Sequence, residues 1–584
     1  MNIKREIQEK IQNTINFHSL SNGKDIQVRF SNHSNKFGNY QVDGLSNMLR
    51  SNRISLKEFG KKLLLELSKQ EYFKKIEIIE PNFINVFLEE KWINQQIDCM
   101  LSEKYLSTIR SENTEKNMVT IIDYSSPNIA KNMHVGHLRS TIIGDSIVRI
   151  SKFLGKKIIK VNHIGDWGTH FGMLIAYLKE ILRKNSTQNI TLEKLEEFYQ
   201  ESRKIFDQDK EFSKISRRYI QKLQSGNSEL LELWKNLVHI TISENQRIYK
   251  LLGVSLKKKD IVAESFYKSM LEEIVEDLKH RKIAVVDKGA VVVYLEEFKN
   301  KYGKPSAVMI QKSDGGYLYT TTEIACLKYR CQKLKADRIL YYVDSRQKRH
   351  LQQSWIIAKK AGYVEENVKL EHHQIGMILG KDKKPFRTRS GKNVKLFEIL
   401  EKSIIKAKQF ISEKGLKNSR KRNILKIARK IGIGSVKYSD LSKNRKTDYI
   451  FNWSTIFSFI GNTASYIQYT YSRANSLIKK SKMNLNEIKD ETFIATNSYE
   501  KIISMHLLRF VEILQETSQK GLPNILCNYL YRLSNEFSKF YENCSIINVQ
   551  DKTRKKNRLK LVYLTKITIK IGLNLLGIQT ISKM

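Results

Sequence analysis

The chain has 584 residues, 41% hydrophobic and 28% charged, with 103 Lys+Arg against 60 Asp+Glu and a formal net charge of +43. One hydrophobic core stops growing at about 250–300 residues, so two to four domains are expected, and the basic surplus suits a polyanionic partner such as nucleic acid, although lysine crowds every region and drift in composition would give the same excess. The five cysteines show no C-x-x-C pair or zinc spacing, no 18 apolar residues run together, and "MNIKREIQEKIQN" has no apolar core, so the expectation is a cytoplasmic protein without a disulfide framework, leader or membrane span.

No repeat of fixed period and no low-complexity linker is found, so domain limits come from changes of pattern. Residues 1–115 combine a charged helical start with short β-like runs, "IQVRFS" and "KIEIIEPNFINVFLE", and predict a small α+β unit. A second region, 116–452, opens on the buried-strand run Met118 to Tyr124. Apolar residues then recur at helical spacing from Leu138 to Leu154, and "KKIIKVNHIGDWG" is a second strand run closed by glycines. That is a βαβ unit of the Rossmann kind, in an α/β domain with a parallel sheet. A charged helical insertion is predicted at about 185–252. Strand runs return at "AVVDKGAVVVYLEEF", "SAVMIQKSDGGYLYTTT" and "DRILYYVDS", with a hairpin turn at Asp314-Gly315-Gly316. Residues 453–584 read as helices throughout and predict an all-α bundle.

The chemistry concentrates in "SSPNIAKNMHVGHLRSTIIGD", Ser125 to Asp145. His134 and His137 stand where a strand ends and a helix begins, the place where a Rossmann fold gathers phosphates on free N–H groups and the positive end of the helix dipole. Pro127 ends the strand, and Gly136 lets the backbone approach closely. Imidazole N–H donors there would stabilise charge building on an α-phosphate during nucleotidyl transfer. The alternative is a metal shared by imidazoles three apart, disfavoured by Gly136 and by the lack of a nearby third ligand. No G-x-x-x-x-G-K-[ST] loop occurs, so β–γ cleavage of ATP by a P-loop is not supported.

The His134-Val135-Gly136-His137 tetrad resembles the "HIGH" signature of class I aminoacyl-tRNA synthetases. Its flanks, with "VNHIGDWGTHFGMLI", "SDGGYLYTTTEIAC", "YYVDSRQKRHL", "GMILGKDKKPFRTRSG", "KYSDLSKNRKTDYIFNW", "GNTASYIQYTYSR" and "RLKLVYLTKITIKIGLNLLGI", resemble arginyl-tRNA synthetases of the bacterial type in one collinear order along the whole chain. The resemblance implies an enzyme that activates L-arginine with ATP, accompanied by Mg2+, to arginyl-adenylate and pyrophosphate, then transfers arginine to the terminal adenosine of tRNA(Arg). It implies a monomer and no structural metal.

Carried over residue by residue, the resemblance gives His134 and His137, with Gly136, to ATP, and Lys131 to the α-phosphate. The second class I signature, "KMSKS", is replaced by "GKDKKPFRTRSG", whose Lys381, Lys383, Lys384 and Arg387 are candidate phosphate contacts beside the alternative of a solvated loop. A guanidinium presents five donors and stays charged, so carboxylates should read it. By position these are Glu264 and Glu323, with Tyr319 beside them. Asn128 and Gln347 would take the α-amino and carboxylate groups, and His163, Asp166 and Trp167 the pocket floor. Glu323 stands where the family more often has Asp, Ala263 where it has Gly, and His170 where it has Gln. One extra methylene moves a carboxylate by about 1 Å, which puts the strength of arginine binding in question rather than its identity. For tRNA, the N-terminal unit would meet the D-loop through Phe83 and Asn85, and the C-terminal bundle the anticodon through Tyr466, Tyr469, Tyr471 and Arg473. Taken without the resemblance, the same residues read as alternating strand residues and helix packing. Two rivals stay open at this point: a small-molecule nucleotidyltransferase, and a non-catalytic RNA-binding relative of a synthetase.

Overall fold

A computed structural model describes residues 2–583 except 19, 21–25, 32–36, 81–82, 103, 112–116, 185–190, 300–302, 381, 387–393 and 414–420. Near the N-terminus, β1 (Gln27–Phe30), β2 (Tyr40–Asp43), β3 (Phe73–Ile79) and β4 (Phe83–Leu88) form an antiparallel sheet in the order β1-β2-β4-β3. Alternation along β2 turns Tyr40 and Val42 inward, and with Ile84 and Val86 they meet Ile7, Ile11, Phe59 and Leu63 of the helices Ile3–Phe17 and Leu56–Leu67. This unit leans on the C-terminal helices. The buried Tyr40 hydroxyl donates to Glu512 at 2.9 Å, and Lys4 pairs with Glu516 at 3.3 Å.

The central sheet contains β5 (Val119–Tyr124), β6 (Lys157–Ile164), β7 (Ile261–Ala263), β11 (Arg338–Tyr342) and β12 (Lys369–His372), all parallel, in the order β12-β11-β5-β6-β7. All six residues of β5 are buried, as a continuous apolar run in a sheet covered on both faces requires. The chain order reverses beside β5, since the strand after it lies to one side and a much later strand to the other. In such sheets the crevice at the carboxyl ends of those strands is where ligands bind.

The helix Val135–Phe153 joins β5 to β6 and is buried on nearly every side, its polar Thr141, Asp145, Ser146 and Ser151 included. Thr141, Asp145 and Ser151 find partners, several of them far along the chain, whereas the Ser146 hydroxyl has none among the described residues. Asp145 accepts from the Ser255 amide at 2.7 Å and from Arg149 at 2.7 Å, Ser151 bonds Ser518 at 2.9 Å, and Arg139 pairs with Asp440 at 3.1 Å. Gly144 sits where this helix crosses β5, and a Cβ there would stand 2.4 Å from the Cβ of the fully buried Tyr124. Helix propensity favours alanine over glycine by about 1 kcal/mol, but overpacking a closed core costs about 1–3 kcal/mol. Gly144→Ala is therefore expected to lower the thermal midpoint; a raised midpoint would show that β5 can yield.

Three helices, Leu192–Gln208, Lys210–Gln224 and Ser228–Leu252, form the predicted insertion and close over Phe171, Leu174 and Leu178 of the helix Thr169–Lys184. A second, antiparallel sheet holds β8 (Val285–Asp287), β9 (Ala290–Lys299) and β10 (Pro305–Gln311). Its tight hairpin falls at Lys288-Gly289, both at positive φ. The Asp314-Gly315-Gly316 turn does close, through a Lys312 amide bonded to the Gly316 carbonyl at 2.8 Å. The predicted strand beyond it is instead the helix Tyr319–Lys328, because Leu318 enters it extended and the Thr321 hydroxyl ties its first turn back to the carbonyl of Ile310. A two-strand parallel pair, β13 (Ile378–Leu379) with β14 (Tyr449–Ile450), precedes the C-terminal helices. After residue 452 the described residues contain helices and no strand, built around Ala464–Ser481, Ser498–Leu508, Phe510–Lys520, Pro523–Asn543 and Lys552–Leu575. No described helix is long and apolar enough to cross a membrane.

Candidate active site

At the carboxyl ends of β5 and β11 lies a cavity of about 410 Å³. Nine of the sequence-predicted residues line it: Asn128, His134, Gly136, His137, His163, Glu264, Tyr319, Glu323 and Gln347. They come from five separate stretches of chain and meet only in the fold.

The loop after β5 is strained. Ser125, Ser126 and Ala130 have φ of 77°, 46° and 60°, a region that costs a non-glycine residue about 1–2 kcal/mol. Buried bonds hold it there. The Ser125 hydroxyl bonds Thr141 at 2.8 Å and Tyr249 at 2.7 Å, the Ser126 amide donates to Asn162 at 3.0 Å, and the Ala130 amide to Thr241 at 3.1 Å. Thr241 and Tyr249 belong to the insertion, so the inserted helices buttress this loop.

The two histidines are organised as a helix cap. His134 is the N-cap, and its Nδ1 accepts from the Gly136 amide at 3.1 Å; His137 Nδ1 accepts from the His134 amide at 3.1 Å. With each Nδ1 accepting, the ring proton resides on Nε2, and the rings, 4.0 Å apart between centroids, present two N–H donors at a helix N-terminus. Burial holds His134 below the ordinary imidazole value and pushes His137 down to about 3, with His134 and Lys131 adding to the burial at His137. Both rings are neutral donors at physiological pH.

The same lining carries a group of acids. Asp123, Glu264 and Glu323 all face the cavity, and Arg330, buried behind it, pairs with Asp123 at 2.5 Å. Glu264 is pushed up to about 8, chiefly by burial and then by the nearby carboxylates of Asp166 and Glu323. Burial also raises Glu323, against the pull of Arg330, His163 and the Tyr341 hydroxyl. Such a lining wants a cation. Tyr319 is 63% exposed at its rim, next to the exposed Gln347.

Other predicted residues lie elsewhere. Asp166 is buried and off the cavity, both its oxygens taken by Ser265 through the amide at 2.9 Å and the hydroxyl at 2.6 Å. It fixes the turn that carries Glu264 rather than facing a ligand. Trp167 meets Trp234 edge-on beside it, outside the cavity lining. Lys131 places its ammonium 4.5 Å from the ring centre of Tyr199 in the insertion, and it too is outside the lining. Lys383 and Lys384 are exposed on the tight turn 380–384, while Lys381 and Arg387 lie outside the described residues. Asn85 is buried and accepts from Gln41 at 2.9 Å, so its amide is engaged within the sheet; Phe83 is half-buried. Tyr466 packs on Tyr531 and bonds Ser538 at 3.2 Å, and Tyr471 is buried. Tyr469 and Arg473 do reach the surface, with the guanidinium stacked 4.2 Å from Tyr541 and 5.4 Å from Tyr469. Asp123, Ser126, Ser140, Tyr341 and His350 line the cavity without having been singled out from sequence. The rule that ligands gather at strand carboxyl ends would have flagged Asp123 and Tyr341, the penultimate residues of β5 and β11.

A parallel sheet with its site at the reversal point, neutral imidazole donors on a helix N-terminus and a separate helical bundle together define a class I aminoacyl-tRNA synthetase. Residues 96–453 match the family profile "tRNA synthetases class I (R), catalytic domain", 1–88 the "Arginyl tRNA synthetase N terminal domain" and 467–584 the "DALR anticodon binding domain". The chain is 49% identical over 561 residues, 96% of each chain, to the arginine–tRNA ligase of Blochmanniella pennsylvanica, and 46% identical to that of Haemophilus influenzae over 100% of both. Its fold is similar to the crystal structure of the arginyl-tRNA synthetase from Plasmodium falciparum, with a TM-score of 0.85 at 30% identity over 100% of this chain and 99% of that one. The chain belongs to the arginine–tRNA ligases.

Proposed function

We propose that the cavity is where this arginine–tRNA ligase joins arginine to AMP, with the acidic end reading the guanidinium and the histidine end holding the phosphates. The activity is that of the family: arginine is activated with ATP and transferred to tRNA. The observation that carries the division of roles is that one cavity is lined both by the two imidazole donors and by Glu264, Glu323 and Asp123, whose carboxylates lie close enough to act on one another.

In the activation step an oxygen of the arginine carboxylate attacks the α-phosphorus and pyrophosphate leaves. His134 and His137 donate from Nε2 to the charge that builds on the phosphate oxygens, with each Nδ1 held as an acceptor by a backbone amide. Glu264 and Glu323 take the guanidinium, with Tyr319 closing over it, while Asn128 and Gln347 orient the α-amino and carboxylate groups. Lys131 contributes at longer range, as a fixed positive charge near the histidine pair. Magnesium enters with ATP as part of the substrate, and Lys381 and Lys384 assist the phosphates from their loop. Transfer follows when the terminal adenosine of tRNA(Arg) attacks the adenylate carbonyl and AMP leaves.

The same reading divides the chain into an N-terminal D-loop-binding unit to about 115, a catalytic domain to 452 and an anticodon-binding bundle from 453, with Phe83, Asn85, Tyr466, Tyr469 and Arg473 facing tRNA. For Asn85 and Tyr466 this requires side chains to leave their present partners. Its likeness to the arginine–tRNA ligases over the full length of the chain supports a monomer working in the cytoplasm. The test is charging of a tRNA pool with labelled arginine, ATP and magnesium, against lysine and glutamine. Charging with arginine alone is expected; binding of tRNA without charging would favour a non-catalytic RNA-binding role.

A further inference from the structure

We propose that Tyr341 is a positioning residue for arginine recognition: it holds one oxygen of Glu323 and so aims the other at the guanidinium of the substrate. The proposal rests on the reading of Glu323 as a guanidinium acceptor.

Tyr341 is 3% exposed near the end of β11, directly in register with Asp123 of β5. Its ring is clamped. The Arg330 guanidinium carbon lies 5.3 Å from the ring centre, and the Trp355 ring is 5.6 Å away. Arg330 is itself held by Asp123 at 2.5 Å, so the clamp is anchored in the neighbouring strand. The phenol has one proton to give, and it donates to Glu323 Oε1 at 2.7 Å.

A glutamate has three rotatable bonds, and ordering such a side chain weakens any binding that depends on it. The tether does that ordering before arginine arrives and commits Oε1, which leaves Oε2 to accept from the substrate. It also favours the ionised carboxylate, working with Arg330 and His163 against the burial that raises Glu323. The extra methylene of a glutamate at this position is what lets the side chain span from the Tyr319–Lys328 helix to β11. An aspartate on the same backbone would be drawn back by about 1 Å, and its oxygen would fall outside hydrogen-bond reach of a hydroxyl now 2.7 Å away.

The experiment is a double-mutant cycle on the full chain, read by aminoacylation kinetics with arginine and ATP varied separately. Tyr341→Phe keeps the ring and its clamp. It is expected to raise the KM for arginine about tenfold, the scale of one hydrogen bond to a charged group, with the KM for ATP within about twofold. In a Glu323→Asp background the same Tyr341→Phe change is expected to add nothing, because the bond is already gone. If Tyr341→Phe lowers the thermal midpoint but leaves the arginine KM in place, the residue is structural only and the proposal fails. Multiplying effects in the double variant would also overturn it. Glu323→Gln separates the two levels of the argument: an unchanged arginine KM there would remove Glu323 from the guanidinium site altogether, whereas a raised KM beside an unresponsive Tyr341→Phe would sink the tether alone.

Discussion

Replacing His137 with alanine is expected to lower arginine-dependent pyrophosphate exchange by about 10²–10³-fold, the loss seen when one preorganised donor to a developing oxyanion is removed. Affinity for tRNA should stay within about twofold, because the ring faces the cavity and not the bundle surface. The ring has two jobs, however: Nδ1 accepts the His134 amide, and Nε2 carries the donor. Alanine removes both, and loss of a helix cap alone costs about 1 kcal/mol. Two further variants separate them. Asparagine places an acceptor near the position of Nδ1 and has nothing at Nε2, so it should preserve the thermal midpoint and remain inactive. Glutamine reaches toward Nε2 with an amide donor and should recover part of the rate. Full activity in the asparagine variant would mean that His137 serves only to start the helix, and loss of tRNA affinity together with activity would argue for general disruption of the fold.

Glu264→Gln is expected to raise the KM for arginine by about 10²-fold or more, since truncating one partner of a buried charge pair typically costs about 2–5 kcal/mol. Its pH dependence is as informative as its size. Without arginine, burial and the carboxylates of Asp166 and Glu323 push Glu264 up to about 8, so it is largely protonated at neutral pH. A guanidinium beside it favours the ionised form and lowers that value, so binding must release a proton between the lowered value and about pH 8. Arginine affinity should therefore rise between pH 6 and 8, by up to about tenfold per pH unit, and level off above. In the glutamine variant that slope should vanish. The measurement is titration calorimetry of arginine in two buffers of different ionisation enthalpy, which counts the proton directly. Proton uptake, or a slope that persists in Glu264→Gln, would move the titrating group elsewhere in the cavity.

Much of the fold is legible along the chain because the signals are local. The unbroken apolar run of Val119–Tyr124 announces a strand buried on both faces. A strand followed by His134-Val135-Gly136-His137 and a helical run places the two histidines at a helix start beside the cavity. The glycine-poor run after 452, without a clear strand pattern, announces the bundle. The miss at "YLYTTT" has an equally plain cause. A β-branched, aromatic run favours a strand, but Thr321 gives its hydroxyl to Ile310, and the chain turns into a helix at Tyr319 instead.

The sequence by itself determined which residue types line the cavity, the order of the helical and strand-rich regions and the start of the helix at His134, because periodicity, capping and turn chemistry are written within a few residues of one another. Only the tertiary structure decided which carboxylates face the cavity and in what state. Asp166 and Glu264 look equivalent in the chain, yet Ser265 occupies the first and burial keeps a proton on the second. Lys131 is drawn toward Tyr199, and Tyr466 toward Tyr531, by groups far away in sequence. Desolvation and charge coupling depend on what surrounds a side chain in three dimensions, and those neighbours arrive from strands and helices that no local pattern brings together.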